Sequence, residues 1–198
     1  MNPVVAIAGP PGSGKTALMT ALAGHLHSAL LFMDAFEAPA LSLSGGDLAG
    51  WLSAGARFDD FVIPGLSEAL TALRAGQPAT EPLSGRRIAP APLVLFEMPL
   101  GRAWPPTAAM IDFLIWLDTP ADIALARNVI AWEKETPPPP RAWLVQYMQD
   151  YLAQTRAALG AQAATVAPGA DLRLDGSAPP DAMAAQVVAT LRQRGLVE

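Results

Sequence analysis

The run Gly9-Pro10-Pro11-Gly12-Ser13-Gly14-Lys15-Thr16 decides how the rest of the chain reads. It satisfies the pattern G-x-x-x-x-G-K-[ST] at every fixed position, the signature of a phosphate-binding P-loop. Glycines let the backbone turn its N–H groups inward around a polyphosphate, and the helix that follows aims its positive N-terminus at the same anion. All eight residues, Gly9, Pro10, Pro11, Gly12, Ser13, Gly14, Lys15 and Thr16, are therefore assigned to nucleotide binding, with ATP and Mg²⁺ as the expected ligands. Lys15 should reach the β- and γ-phosphates, and the Thr16 hydroxyl should ligate the metal. The flanks agree with this reading. Val4-Val5-Ala6-Ile7-Ala8 is short, apolar and rich in β-branched residues, as in a strand buried on both faces. Beyond the motif, Leu18, Leu22 and Leu26 recur at helical spacing.

Working outward, Leu30-Leu31-Phe32-Met33 reads as a second strand ending at Asp34, and Leu93-Val94-Leu95-Phe96 as a third ending at Glu97. Residues 110–117 form a fourth ending at Asp118, and Leu172-Arg173-Leu174 a short last one. Between them lie helices. Leu66, Leu70 and Leu73 mark one, with Pro64 in its first turn and Gly76 at its end. Thr119-Pro120 should open another, with a capping hydroxyl and a proline at the first helical position, running to about Lys134. Prolines 137–140 break it. Leu144, Met148, Tyr151 and Leu159 predict a long helix closed by Gly160, and residues 181–192 a final amphipathic one. Residues 35–61 should hold short helical pieces, and 78–92 a loop carrying Arg86 and Arg87.

Strands alternating with helices imply parallel pairing through right-handed crossovers. The fold class that follows is α/β: a three-layer P-loop NTPase fold with a mainly parallel five-stranded sheet and a small lid around the proline run. With no repeat or linker, the 198 residues read as one domain.

Composition narrows the partners. Net charge is −5 and no basic stripe is present, which argues against nucleic acid. No segment approaches the roughly 18 unbroken apolar residues a membrane span requires. The chain lacks cysteine, so disulfides and thiolate metal sites are excluded, in keeping with a cytoplasmic protein. A small hydroxylated molecule is the expected partner, and an oligomer is not indicated.

Glu97, at the tip of an apolar strand, is placed where a carboxylate can bind Mg²⁺, hold its water shell or orient a substrate. Asp118 is explained by the helix start beside it. Guanine-reading N-K-x-D is absent, which argues against an ordinary GTPase. Leu43-Ser44-Gly45-Gly46-Asp47 resembles the signature of transport ATPases but lies too close to the loop, and reads as a turn. His25 and His27 have no ligand-spaced partners and read as surface or packing residues, and Trp51, Trp104 and Trp132 have no assigned role.

Four stretches, GPPGSGKT, LLFMDAFEAP, GARFDDFVIPGLSEALTALRAGQP and LVLFEMP followed by DFLIWLDTPADIALARNVI, resemble the uridine kinase-like family of P-loop kinases. That wider group includes phosphoribulokinase and bacterial pantothenate kinase. The resemblance spans roughly residues 4–130. It implies that Asp34 is the base or orienter for an acceptor hydroxyl, that Asp59 or Asp60 binds substrate hydroxyls together with Asp34 and Glu97, and that Arg127 neutralises charge on the transferred phosphoryl group. Lys15, Asp34 and Arg127 are thus the expected catalytic residues. The chain departs from the family in having Met98-Pro99 where a glycine follows the strand-three glutamate, and in an arginine-poor stretch leading into the lid. These readings give an ATP- and Mg²⁺-dependent transfer to the hydroxyl of a small metabolite: a nucleoside, a sugar or a pantothenate-like alcohol. The rivals are a nucleotide-binding regulatory or metallochaperone-like protein and a nucleoside monophosphate kinase.

Overall fold

The computed structural model describes residues 1–36 and 47–198. In chain order the elements are β1 (Val4–Ala8), α1 (Lys15–Ala23), β2 (Ser28–Phe32), α2 (Leu48–Ser53), α3 (Leu66–Arg74), β3 (Ala79–Thr80), β4 (Arg87–Ile88), β5 (Leu93–Glu97), α4 (Pro105–Ala108), β6 (Phe113–Asp118), α5 (Ala121–Trp132), α6 (Arg141–Asp150), α7 (Arg156–Val166), β7 (Leu172–Asp175) and α8 (Pro180–Gln193). Five strands form one sheet in the order β2-β5-β1-β6-β7, parallel at every pairing. The first strand is central: Val5 is in register with Leu95 on one side and Phe113 on the other.

Side chains alternate across this sheet, and each set finds its own apolar partner layer. Val4, Ala6 and Ala8 join Phe96, Leu114 and Trp116 beneath Leu66, Leu70 and Leu73 of α3. Val5 and Ile7 join Leu95, Ile115 and Leu117 against Leu18, Met19 and Leu22 of α1 and Val187 and Leu191 of α8. Burial on both faces is why β1 is a continuous apolar run rather than an alternating one. The carboxyl ends of β1, β2 and β5 therefore lie side by side, and the Gly9–Thr16 loop and Glu97 meet there.

Several boundaries differ from the sequence reading for identifiable reasons. The fourth sheet strand starts at Phe113 rather than Met110, because the Asp112 carboxylate accepts a bond from the Val4 amide at 2.8 Å and ties off the preceding turn. Thr119 does not cap α5; its hydroxyl donates to the Ser13 carbonyl at 3.1 Å, and Pro120 takes the cap position instead. Pro64 stays outside α3, which starts after Gly65 at φ 80°. Gly76, at φ 74°, does end that helix, and the Gln77 amide donates to the Ala72 carbonyl at 2.8 Å. Gly160 does not end a helix. The alanines around it outweigh its cost of about 1 kcal/mol, so α7 runs on to Val166, after a π-helical stretch at Tyr151–Thr155. Residues 78–92 are not a plain loop, since β3 and β4 pair antiparallel in a two-stranded hairpin.

Trp132, Trp143 and Tyr147 join α5 to α6, with the two indoles edge-to-face at 5.1 Å. Trp143 stays 44% exposed, so it packs on α5 rather than on the core. Among the described residues, no helix is long and apolar enough to cross a membrane. The segment Leu43–Gly46 and the end of the LLFMDAFEAP stretch lie outside the described residues.

Candidate functional site

The loop after β1 takes a shape that requires its glycines. Gly12 has φ 75° and Gly14 φ 99°, the left-handed region that side chains resist. Close packing adds a second constraint. A Cβ on Gly12 would lie 2.1 Å from the Ala124 carbonyl oxygen of α5, and one on Gly9 would lie 2.7 Å from the Ser13 hydroxyl. Gly14 is the residue on which α1 opens, so the amide-rich end of that helix faces the loop's concave side.

Lys15 is 7% exposed, and its ammonium donates to the Pro10 carbonyl at 3.1 Å. Its remaining opposite charge is the Glu97 carboxylate, 3.8 Å away. The other Glu97 oxygen accepts from the Thr16 hydroxyl at 3.0 Å. Burial pushes the Lys15 ammonium below its ordinary pKa, opposed by the charges of Glu97 and Asp34. Burial likewise pushes the Glu97 carboxyl above the usual carboxylate range, opposed by Lys15 and by the Thr16 hydrogen bond. For each group, burial works against the charged form and the other's charge works for it.

Several features of the structure fit ATP and Mg²⁺ here. The ammonium is buried with one carbonyl and one carboxylate for company, leaving bonding capacity for an anion. The Ser13 hydroxyl is buried without a partner beside the turn of the loop. Thr16 and Glu97 put two hard oxygen donors together, the kind of set that Mg²⁺ takes alongside phosphate oxygens.

These residues line one end of a cavity of about 820 Å³. Asp34, in the single helical turn Met33–Ala35 after β2, is exposed on the same cavity, as β2 and β5 are neighbours. Arg127 of α5 also lines it and donates to the Gly176 carbonyl at 2.7 Å. A Cβ on Gly14 would be 3.8 Å from that guanidinium. Lys15, Thr16, Asp34, Glu97 and Arg127 are therefore brought together, as is most of the glycine loop.

Asp59 and Asp60 are not. Both are exposed and neither is on the cavity wall; Asp59 instead pairs with Arg57 at 3.2 Å through Nε, which holds its carboxyl below the usual range. What the same short turn contributes to the cavity is Phe58 and Phe61. Arg86 is not free in solvent either, because it pairs with the buried Glu81. His25 and His27 are exposed, as expected.

Apart from the segment at Phe58-Asp59, which the family resemblance places over the substrate, the far wall went unread in the sequence. It is formed by Met33, Leu48, Trp51, Phe58, Phe61 and Leu83. Trp51 meets Phe58 and Phe61 edge-to-face at 5.3 and 5.6 Å. Two indoles pin this segment: Trp51 Nε1 donates to the Arg57 carbonyl at 2.8 Å, and Trp104 Nε1 to the Phe61 carbonyl at 2.9 Å. Gln162 of α7 also reaches the cavity, where its amide donates to the Pro99 carbonyl at 2.7 Å. An indole spaced seven residues from Phe58, itself three before Phe61, was the available signal for the wall.

No protein-family model matches the chain, and no curated protein matches it in sequence. Solved structures do match. The chain is similar to a sugar kinase from Janibacter sp. HTCC2649, at 18% identity over 100% of this chain and 99% of that one, with a TM-score of 0.52. It is also similar to a structure described as a possible uridine kinase from Bacillus stearothermophilus, at 16% identity over 88% and 89% of the two chains, with a TM-score of 0.50. The chain has the P-loop kinase fold.

Proposed function

We propose that this protein is a phosphotransferase that moves the γ-phosphoryl group of ATP to a hydroxyl of a small metabolite. The observation that carries the reading is the placement of Lys15, Thr16 and Glu97 at one end of a cavity that Asp34 also faces. When bound, ATP supplies the phosphoryl group and Mg²⁺ neutralises charge on its oxygens. The backbone amides of Gly9–Thr16 and the Lys15 ammonium would hold the phosphate tail, and Thr16 with Glu97 would hold the metal. Asp34 accepts the proton of the acceptor hydroxyl, or orients that hydroxyl in line. Arg127 offsets charge at the phosphate end from α5. Catalysis is then mostly positioning and electrostatics.

The connection between α5 and α6, residues 133–140, carries Lys134 as its one cation and no arginine. That favours a second reading, a nucleotide-binding regulatory protein with little transferase activity. The two separate on Asp34→Asn. With an accepted alcohol and ATP-Mg²⁺, ADP release should fall by roughly 10²–10⁴-fold while ADP affinity holds within about twofold. A wild-type protein that releases no ADP with any alcohol, and is unchanged by the substitution, is the regulatory protein instead.

A further inference from the structure

Helix α7 is alanine-rich, and of its eleven residues Gln162 and Val166, one turn apart, are the buried ones. Val166 is the apolar residue such a stripe calls for. Gln162 is not: a carboxamide, 6% exposed, stands where α7 meets the chain just beyond β1 and β5. Its orientation is fixed by its surroundings. Nε2 donates to the Pro99 carbonyl at 2.7 Å and faces the Gly9 carbonyl at 3.5 Å, a place the amide oxygen cannot take. Oε1 is left buried with no partner among the described residues. As a device for stability alone this gains little, since a buried unpaired oxygen offsets much of one good hydrogen bond. The use of the side chain lies in its donor end.

The two contacts are unequal, because 2.7 Å is a short bond and 3.5 Å is at the outer limit of one. The stronger goes to Pro99, two residues beyond Glu97. Proline has no amide hydrogen and a fixed φ, so its carbonyl is the one backbone group by which this turn can be held there. Between the two, the Met98 amide donates to the Ile7 carbonyl at 3.1 Å. The chain leaving Glu97 is therefore anchored twice, once by β1 and once by α7. The Glu97 carboxylate itself reaches the Thr16 hydroxyl at 3.0 Å and lies 3.8 Å from the Lys15 ammonium.

Resting on the reading of Thr16 and Glu97 as the metal-holding pair of an ATP-using phosphotransferase, we infer that Gln162 is a positioning residue for that pair. It fixes the turn after β5, and so the aim of the Glu97 carboxylate, without touching nucleotide or metal. It also joins α7, which follows the α5–α6 connection in the chain, to the metal end of the cavity. Groups that orient a metal-holding side chain typically matter about 10–100-fold to metal affinity.

The test is calorimetric titration of the full chain with a non-hydrolysable ATP analogue, once with Mg²⁺ and once with EDTA in its place. In the wild type, Mg²⁺ should tighten binding. Gln162→Met keeps the length of the side chain and lacks the donor; it should weaken binding about tenfold with Mg²⁺ and less than about twofold in EDTA. Glu97→Gln supplies the readout that a packing role would not move. In that background Gln162→Met should cost less than about twofold even with Mg²⁺, because the carboxylate it aims is gone. Where Gln162→Met does not fold, Gln162→Asn sets the amide one methylene back and should give the same pattern. Equal weakening with and without Mg²⁺, independent losses in the two backgrounds, or no loss at all overturns the inference. A wild type that binds no analogue, or binds it no better with Mg²⁺, overturns it together with the metal assignment. The predicted pattern without ADP release from ATP on any alcohol instead removes the transferase reading and leaves the role of Gln162 standing.

Discussion

At the phosphate end of the cavity, Lys15, Thr16 and Glu97 are delivered by the ends of two adjacent strands, β1 and β5, whose side chains are buried on both faces. At the other end, Met33, Trp51, Phe58 and Phe61 come from two single helical turns and a six-residue helix. The first group is held by the sheet, with every strand around it paired. The second is held by its own aromatic contacts and by two indole hydrogen bonds. The contrast separates chemistry from selectivity. On the proposed reading, the groups assigned to the phosphates sit at the ends of strands buried on both faces, and those assigned to the acceptor sit on short segments outside the sheet.

Removing a pin tests whether the far wall depends on local packing. Trp104 is 2% exposed and its indole holds the Phe61 carbonyl, so Trp104→Ala should cost about 3–5 kcal/mol in chemical denaturation. In the protein that remains folded, acceptor affinity should fall more than nucleotide affinity. Equal losses at both ends would mean that the two walls are a single unit.

At the near end, Gly12→Ala places a methyl group 2.1 Å from the Ala124 carbonyl at φ 75°. The expected loss is about 2 kcal/mol, accompanied by weaker nucleotide binding as α5 or the loop gives way. A stable variant with full affinity would show that α5 does not brace the loop.

The smallest effect belongs to the hairpin beside the acceptor end. Arg86 holds the Glu81 carboxyl below the usual range. A carboxyl whose folded value is depressed contributes stability above its unfolded value, near 4.3, that is lost as pH falls through the folded value. Arg86→Ala should therefore cost about 1 kcal/mol at pH 7, and the difference from wild type should shrink as the pH is lowered below about 4. A deficit independent of pH would assign the effect to lost packing.

The same contrast explains what was legible in the sequence. The strand preceding Gly9, the helix after Thr16 and the acids Asp34 and Glu97 were readable because strand ends in a doubly covered parallel sheet leave a plain mark: an apolar run, then a polar residue. Which of Phe58, Asp59 and Phe61 faces inward could not be read, because a three-residue helical turn has no periodicity to report. The acids were favoured there, and the rings are what line the cavity. Thr119 misled for a related reason. A hydroxyl before Pro-Ala-Asp has the form of a helix cap, yet a contact 106 residues away in sequence, to Ser13, claims it. Likewise no local pattern ties Gln162 to the Pro99 carbonyl.

Calorimetric titration with a non-hydrolysable ATP analogue and Mg²⁺ tests most directly whether the loop and Lys15 form a seat for a triphosphate. Wild-type protein should bind one equivalent, and Lys15→Ala should bind at least about tenfold more weakly, since a charge-assisted bond to phosphate is lost. Equal affinity in the two proteins, or no binding by the wild type at saturating analogue, would contradict it.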